Sequence, residues 1–206
     1  MSDPGGSANN RRTVEGYDAC AAEYAFMTAP GKSPYGFGAV ERFCDRVGTG
    51  GQVLELASGP GWDADEMEAR GLTVRRTDAS TGFIAEQAGR GKTVERLDML
   101  TDDYGGPWDG VVALYVLQHI DRDRLEGVID RVVAALKPGG VFLTSFQEGA
   151  GEHVEHGNEG RTYQVVQWSA ETMLDLLARV GLEVEWRHSF EGDRHHWSLL
   201  IARRPG

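Results

Sequence analysis

From Gln52 onward, short apolar segments of the chain alternate with longer segments of helical periodicity, and this alternation restricts the fold more than any other feature. Strands that alternate with helices form βαβ units around a parallel sheet. The predicted strands are residues 52–57, 73–77, 93–97, 110–115, 141–146, 182–189 and 196–202, and the predicted helices between them are 62–70, 81–90, 122–136 and 170–180. The sequence therefore predicts an α/β protein.

The last two predicted strands are joined only by a short link around Gly192, so we expect a hairpin whose final strand is antiparallel. This predicts a Rossmann-like three-layer sandwich with a seven-stranded, mostly parallel sheet and one antiparallel C-terminal strand. The 206 residues suit a single domain. We expect a disordered tail (1–12), then one domain (13–206) with an N-terminal helical cap (13–48). Residues 148–163 lack periodicity and are expected to be an irregular loop, either a substrate-covering lid or a solvated excursion.

The composition and net charge indicate the cellular location of the protein and the classes of partner that it is not expected to bind. The net charge of −11 disfavours nucleic acid and anionic membranes, because both would be repelled. The chain has no apolar run of about 20 residues and begins without the features of a signal peptide. Cys20 and Cys44 have no metal-type spacing, which indicates two reduced thiols. We expect a cytoplasmic protein with no nucleic-acid or membrane partner.

A glycine-containing turn follows the first strand in VLELASGPGWDA, residues 53–64. Gly59-x-Gly61-x-x-Ala64 satisfies a dinucleotide-binding pattern, which by itself is a weak signal. Glu55 distinguishes a dinucleotide site from a site for a cationic ligand, because a carboxylate close to this turn would repel a pyrophosphate and attract a cation. A buried carboxylate also needs a partner, which a structural hydrogen-bonding role could supply.

Several motifs together resemble the class I S-adenosylmethionine-dependent methyltransferases. ELASGPG (55–61) is similar to the family's E/D-x-G-x-G-x-G motif, except that Ala57 replaces the first glycine. TDAS (77–80), LDML (97–100), WDGVVALYVLQHI (108–120) and LKPGGVFL (136–143) resemble the later motifs in the family's order.

The resemblance implies a cofactor site at the carboxyl ends of the strands. Asp78 would accept hydrogen bonds from the ribose hydroxyls, although it could instead cap the following helix. Asp98 and the Met99 amide would contact adenine, and the backbone at Leu114 and Tyr115 would pass the methionine portion. The predicted cofactor-binding residues are Tyr17, Glu55, Ala57, Gly59, Gly61, Asp78, Ala79, Asp98, Met99, Leu114 and Tyr115.

The sequence gives fewer indications of the catalytic residue and of the acceptor-binding residues than of the cofactor site. Methyl transfer needs mainly alignment and desolvation, so a base is optional. His119 is the best-placed base, with packing against a backbone group as the alternative. Tyr35, Tyr163 and His153 are predicted to line the acceptor pocket. His153-x-x-His156 with its flanking glutamates could suggest a metal, but the helix that such spacing usually occupies is not predicted, so we expect no metal.

The sequence therefore predicts a methyltransferase that uses S-adenosylmethionine, releases S-adenosylhomocysteine and methylates a small-molecule acceptor by in-line displacement. Two alternatives remain open. One is an NAD(P)-dependent Rossmann oxidoreductase, and the other is a methyltransferase-fold protein that binds the cofactor without transferring methyl.

Overall fold

The computed structural model describes residues 8–30, 38–192 and 195–206. Within these residues, seven strands form one sheet in the order β3-β2-β1-β4-β5-β9-β8. The strands are β1 (Gln52–Glu55), β2 (Thr73–Asp78), β3 (Glu95–Arg96), β4 (Trp108–Ala113), β5 (Leu136–Glu148), β6 (Gly151–His156), β7 (Thr162–Gln167), β8 (Glu183–Glu191) and β9 (His196–Arg203). The helices are α1 (Ala8–Asp18), α2 (Ala21–Met27), α3 (Ala39–Val47), α4 (Trp62–Ala69), α5 (Thr81–Gly89), α6 (Leu125–Ala135) and α7 (Ala170–Arg179).

The sheet has the predicted topology. Strands β1 to β5 are parallel, and β9 runs antiparallel to both β5 and β8. The α/β prediction, with one antiparallel C-terminal strand, is confirmed. Strand order reverses between β1 and β4, and ligands of open α/β sheets bind at the carboxyl edge beside such a reversal.

Local sequence explains where the helices near this edge begin. Ser80 caps α5 by accepting a hydrogen bond from the Phe83 amide at 3.2 Å. Ser169 caps α7 in the same way, accepting from the Thr172 amide at 3.1 Å. Helix α4 instead begins directly after Gly61, which adopts a left-handed conformation.

Side chains alternate along the strands and create an apolar layer on each face of the sheet. On one face, Phe142 and Phe146 pack with residues of α6 and α7. On the other, Val53 and Leu143 pack with residues of α3 and α4. The two layers fix the carboxyl ends of β1 and β4 side by side.

Three features differ from the sequence-based expectations. Helix α1 begins at Ala8, so it includes residues 8–12 of the segment that was expected to be a disordered tail. Strand β3 shortens to two residues at the sheet edge.

The largest difference concerns residues 148–163, because the prediction of an irregular loop there is wrong. Strands β6 and β7 pair as an antiparallel hairpin with His156 opposite Thr162. The pattern was missed because GEHVEH in β6 is mostly polar and exposed, so its strand conformation comes from pairing with β7, where Val165 and Val166 are buried. Among the described helices, none is long and apolar enough to cross a bilayer.

Candidate active site

The turn between β1 and α4 bends through three left-handed residues: Ala57 (φ +52°), Gly59 (φ +54°) and Gly61 (φ +79°). A side chain at Gly59 would meet nothing within 4 Å, so the backbone is open to close approach there. At Gly61 a Cβ atom would lie 2.3 Å from Oε1 of Gln87, so this glycine is required for packing.

Asp78 at the end of β2 is buried and holds the turn. Its carboxylate accepts hydrogen bonds from the amides of Gly59 at 2.7 Å and Ser80 at 2.8 Å. Because Ser80 itself caps α5, Asp78 is not the helix cap that the sequence left as an alternative. The neighbouring Ala79 is half-buried.

Glu55 ends β1 and is 3% exposed. Its carboxylate accepts a hydrogen bond from the Ser58 hydroxyl. Burial, and after it the nearby Asp63, raise the pKa of Glu55 to about 8. Burial also raises the pKa values of Asp63 and Asp78 to about 6 each, against the opposing effect of the backbone amides at Asp78. We call Glu55, Asp63 and Asp78 the acid rim.

The acid rim is short of positive charge. Arg76 is the cation that lowers the pKa of Glu55, but its guanidinium makes ion pairs with Asp65 at 2.6 Å and Glu68 at 2.8 Å. A cationic ligand would therefore relieve the repulsion among the rim carboxylates, whereas a diphosphate would increase it.

The predicted adenine and methionine contacts lie at the ends of β3 and β4. Half-buried Asp98 accepts a hydrogen bond from the Leu100 amide at 2.9 Å. The side chain of Met99 is buried, and its carbonyl accepts from the Tyr104 hydroxyl at 2.7 Å. Leu114 packs partly buried beside Tyr115, whose φ of +53° is unusual for a bulky residue.

His119 is buried, and both of its ring nitrogens have partners. Nδ1 lies 2.7 Å from the Gln164 carbonyl, which can only accept, so Nδ1 carries the proton. Nε2 lies 3.0 Å from the Tyr17 hydroxyl and 3.2 Å from the amide nitrogen of Gln118. Burial lowers the pKa of His119, so its ring is neutral near pH 7. His119 therefore does bond a backbone group, as one of the two sequence-based alternatives expected. Its Nε2 is nevertheless neutral and can accept a proton.

Tyr17 and Tyr163 meet above His119. Their ring centroids are 4.8 Å apart, and the Tyr163 hydroxyl lies 3.5 Å from Sγ of Cys20. Gly16 and Gly157 admit the Tyr163 ring, since a Cβ atom at either would approach it within 3.0 Å. The β6–β7 hairpin is therefore docked on α1 and covers the ligand edge together with it.

Of the other predicted pocket residues, His153 lies away from His119 and Tyr163. His153 is on the exposed side of β6, 6.2 Å from His195 between ring centroids. Tyr35 lies outside the described residues. Across residues 8–30, 38–192 and 195–206, no group of three or more His, Cys, Asp or Glu residues is arranged to hold a metal ion.

Sequence reasoning missed several polar residues at this edge. Asp63, two positions after Gly61, belongs to the acid rim, and that position was the only available signal. Asp18 ends α1 and accepts from the Ser80 hydroxyl at 2.7 Å and the Gly82 amide at 2.9 Å, a contact over 62 residues that no local pattern indicates. Two buried glutamines, Gln118 and Gln147, were also missed.

Together, the sheet reversal, the open glycine turn and the acid rim describe an α/β protein whose carboxyl edge carries buried acids beside an accessible turn. The family model for a methyltransferase domain matches residues 35–186. The chain belongs to this methyltransferase family, and the prediction of an S-adenosylmethionine-dependent methyltransferase is confirmed, including its cofactor. None of the curated proteins compared with the chain matches it.

Solved structures share the fold over nearly the whole chain. The DhpI–SAH complex has a TM-score of 0.75 at 25% identity and covers 98% of this chain and 99% of that one. The 1,6-didemethyltoxoflavin-N1-methyltransferase of Burkholderia thailandensis, with bound 1,6-didemethyltoxoflavin and S-adenosylhomocysteine, has a TM-score of 0.73 at 19% identity, covering 100% and 94%. The [4+2]-cyclase SpnF has a TM-score of 0.72 at 15% identity, covering 100% and 99%. Because a cyclase shares the fold, the family match and not the fold carries the assignment.

Proposed function

We propose that this methyltransferase is cytoplasmic, binds S-adenosylmethionine at the acid rim and transfers the methyl group by in-line displacement to a small-molecule acceptor. The observation that carries the binding proposal is the acid rim itself. Three carboxylates with raised pKa values flank a glycine turn that leaves room for a ligand at Gly59. Such an arrangement suits a ligand that carries an ammonium and a sulfonium.

The residues of this edge fit the cofactor in their donor and acceptor chemistry. Asp78 would accept from the ribose hydroxyls with the lone pairs that its two backbone amides leave available. Glu55 would supply negative potential once the cationic ligand favours its ionised form, and Gly59, Ala57 and Ala79 would contact the cofactor through their backbone.

The remaining predicted contacts come from the neighbouring strand ends. Asp98 and the Met99 amide would contact adenine, while Leu114 and Tyr115 would border the methionine portion. When bound, the cofactor supplies an activated methyl group on sulfur. The protein's task is therefore alignment and exclusion of water, which can supply an effective molarity of about 10⁵–10⁸ M.

His119 is proposed to take up a proton where the acceptor must lose one. Its Nε2 is neutral and acts through the Tyr17 hydroxyl, which lies 3.0 Å away. Tyr17 thus contacts His119, and it is also proposed to border the cofactor. Tyr163 and His153, on the hairpin, and Tyr35 are proposed to border the acceptor.

A small-molecule acceptor is supported by the covered edge and by the charge. Helix α1 and the β6–β7 hairpin pack together over it through Gly16 and Tyr163, and the Arg161–Glu23 ion pair at 3.1 Å links the hairpin to α2. The net charge of −11 disfavours a nucleic-acid acceptor. A relative of the same fold, the Burkholderia thailandensis enzyme, binds 1,6-didemethyltoxoflavin, which is a small molecule.

Calorimetry with S-adenosylmethionine, S-adenosylhomocysteine and NAD⁺ tests the binding proposal. We expect micromolar affinity for the first two and no measurable binding of NAD⁺. The charge-reversed variant Glu55→Lys should lose cofactor binding, whereas Asp45→Asn, which removes an exposed acid on α3, should keep it. Tight NAD⁺ binding would contradict the proposal.

Labelled-methyl transfer tests the acceptor. The enzyme is incubated with methyl-labelled cofactor and a cell extract that has been divided by ultrafiltration into small molecules and macromolecules. We expect label in the small-molecule fraction. Label confined to the macromolecular fraction would contradict a small-molecule acceptor without affecting the cofactor assignment.

A further inference from the structure

Two glutamines near the proposed methyl-transfer site have buried amide oxygens without a hydrogen-bond donor among the described residues. Gln118 lies in the short 3₁₀ turn Leu117–His119 that follows β4, and Gln147 lies near the carboxyl end of β5. Their exposed fractions are 5% and 2%. Oε1 of each is buried and unpartnered.

The orientation of the Gln118 amide is fixed by its other end. Nε2 donates to the Tyr115 carbonyl at 2.6 Å, and a carbonyl can only accept. The remaining terminal atom of Gln118 is therefore the oxygen. It can be satisfied only by an N–H or O–H group.

Gln147 borders the same residue from β5. Side chains two positions apart share a face of a strand, so Gln147 lies on the same face as Ser145, whose hydroxyl accepts from the Tyr115 amide at 2.6 Å. The cross-strand partner of Gln147 is Trp197, whose ring packs 5.2 Å from that of Tyr115. Both unpartnered amides therefore lie around Tyr115 at the carboxyl ends of β4 and β5.

A third buried glutamine, Gln87, provides a comparison, because both ends of its side-chain amide are hydrogen-bonded within the protein. Gln87 is fully buried, and its Nε2 donates to Ser58 at 3.0 Å and to the Gly59 carbonyl at 2.8 Å. Its Oε1 accepts from Arg76 at 2.9 Å. Most buried polar groups in proteins are satisfied in this way, so two neighbouring exceptions beside a ligand edge call for a physical reason.

We propose that Gln118 and Gln147 are specificity-determining residues that accept hydrogen bonds from the methyl acceptor. The acceptor is then a polar molecule that presents at least two N–H or O–H groups, such as a hydroxylated ring or an N–H heterocycle. An amide oxygen discriminates strongly against an analogue that lacks the donor, because the oxygen is then left unpaired. This inference rests on the proposed function.

Thermal denaturation tests whether the amide oxygens are unsatisfied in the protein itself. Gln147→Met removes a polar group but no hydrogen bond, so its melting temperature should equal or exceed that of the wild type. Gln87→Met, the matched control, loses three bonds and should melt at least about 4 °C lower. A Gln147→Met variant that melts as low as Gln87→Met would overturn the inference.

Ligand-observed NMR in the presence of S-adenosylhomocysteine tests recognition. The probes are matched pairs, uracil with 1,3-dimethyluracil and catechol with 1,2-dimethoxybenzene, which differ in their donors. The wild type should bind the donor-bearing member of at least one pair tenfold or more tightly. Gln118→Met and Gln147→Met should reduce that preference to threefold or less.

The outcomes separate the inference from the proposed function. If calorimetry detects S-adenosylhomocysteine but no pair is discriminated, or the preference survives in both variants, the inference is wrong and the cofactor assignment stands. If S-adenosylhomocysteine does not bind, the proposed function fails and the inference fails with it. If ordered water satisfies both amide oxygens, neither probe pair is discriminated, and this result also overturns the inference.

Discussion

Two clusters of buried charged residues lie side by side around the turn between β1 and α4. They differ in whether a buried cation balances the carboxylates. In the first, which we call the Arg76 network, a guanidinium whose side chain is 2% exposed is paired with Asp65 at 2.6 Å and Glu68 at 2.8 Å. In the second, the acid rim, the hydrogen bonds that Glu55 and Asp78 accept within the described part of the chain come from a hydroxyl and from backbone amides.

The pKa values express this difference. Hydrogen bonds from Lys92 and Arg76 lower the pKa of Asp65 despite its partial burial, whereas burial raises the pKa of Glu55 to about 8. A cluster with balanced charge stabilises the fold. A cluster that the fold leaves unbalanced lowers stability unless a ligand of opposite charge is present, which is the property expected of a binding site.

The largest effect is expected in the Arg76 network. Arg76→Met should destabilise the protein by about 3–5 kcal/mol, because it removes the buried guanidinium that donates to Asp65, Glu68 and Gln87, and Lys92 can replace it only at the two partly exposed carboxylates. Urea denaturation measures the change. The adjacent Arg75→Met is the control and should cost about 1 kcal/mol, since its partner Glu95 is 56% exposed and the pair is screened by solvent. Equal effects would mean that the Arg76 network contributes no more than a surface pair.

The acid rim should make stability depend on pH. The pKa of Glu55 lies above its value of 4.5 in the unfolded chain, so the folded protein binds more protons between the two values. Its contribution to stability is fully present below about pH 4.5 and is lost as the pH rises towards 8. At about 1.36 kcal/mol for each pH unit between 4.5 and about 8, the loss by pH 8 is about 4 kcal/mol, and it should disappear in Glu55→Gln. Denaturation at a series of pH values measures it.

Cofactor binding gives the complementary dependence. A cationic ligand favours ionised Glu55, so affinity for S-adenosylmethionine should rise between pH 6 and 8 with release of protons, which calorimetry in two buffers detects. A wild-type affinity that is independent of pH over this range would contradict the role of the acid rim.

A smaller effect is expected for a single carboxylate of the rim. Asp78→Asn should weaken cofactor binding at least tenfold, equivalent to about 1.4 kcal/mol, because a neutral amide binds hydroxyls less strongly than a carboxylate. Stability should also fall, by about 1–3 kcal/mol, because the Asn Nδ2 cannot accept from one of the two backbone amides that Asp78 satisfies. The control Asp45→Asn removes the same charge from α3 and should leave affinity unchanged; an unchanged affinity in Asp78→Asn would remove the ribose assignment.

The smallest effect on stability is expected at Ala57, which replaces the first glycine of the family motif. Ala57 has a left-handed backbone, which costs a non-glycine residue about 1–2 kcal/mol, while glycine brings an entropic cost of about 0.5–1 kcal/mol. Ala57→Gly should therefore stabilise the protein by about 0.5 kcal/mol. Ala69→Gly at the end of α4, the opposite case, should destabilise it by up to about 1 kcal/mol. Thermal denaturation compares the two.

The sequence predicted most of the fold because its signals are local. Strand and helix periodicity identified every strand of the main sheet, and acids at the ends of β1 and β2 indicated a cationic ligand. The hairpin was missed because β6 carries little apolar alternation, so its strand conformation depends on its partner β7.

By itself, the sequence determined the alternation of strands and helices, the glycine turn and the acids beside it, since these follow from neighbouring residues. Only the tertiary structure decided which acids are neutralised, because Arg76 reaches Asp65 and Glu68 through the packing of β2 against α4. It also decided that His119 bonds both Tyr17 and Gln164, residues 102 and 45 positions away. Such contacts depend on how distant elements pack, and no short stretch of the chain contains that information.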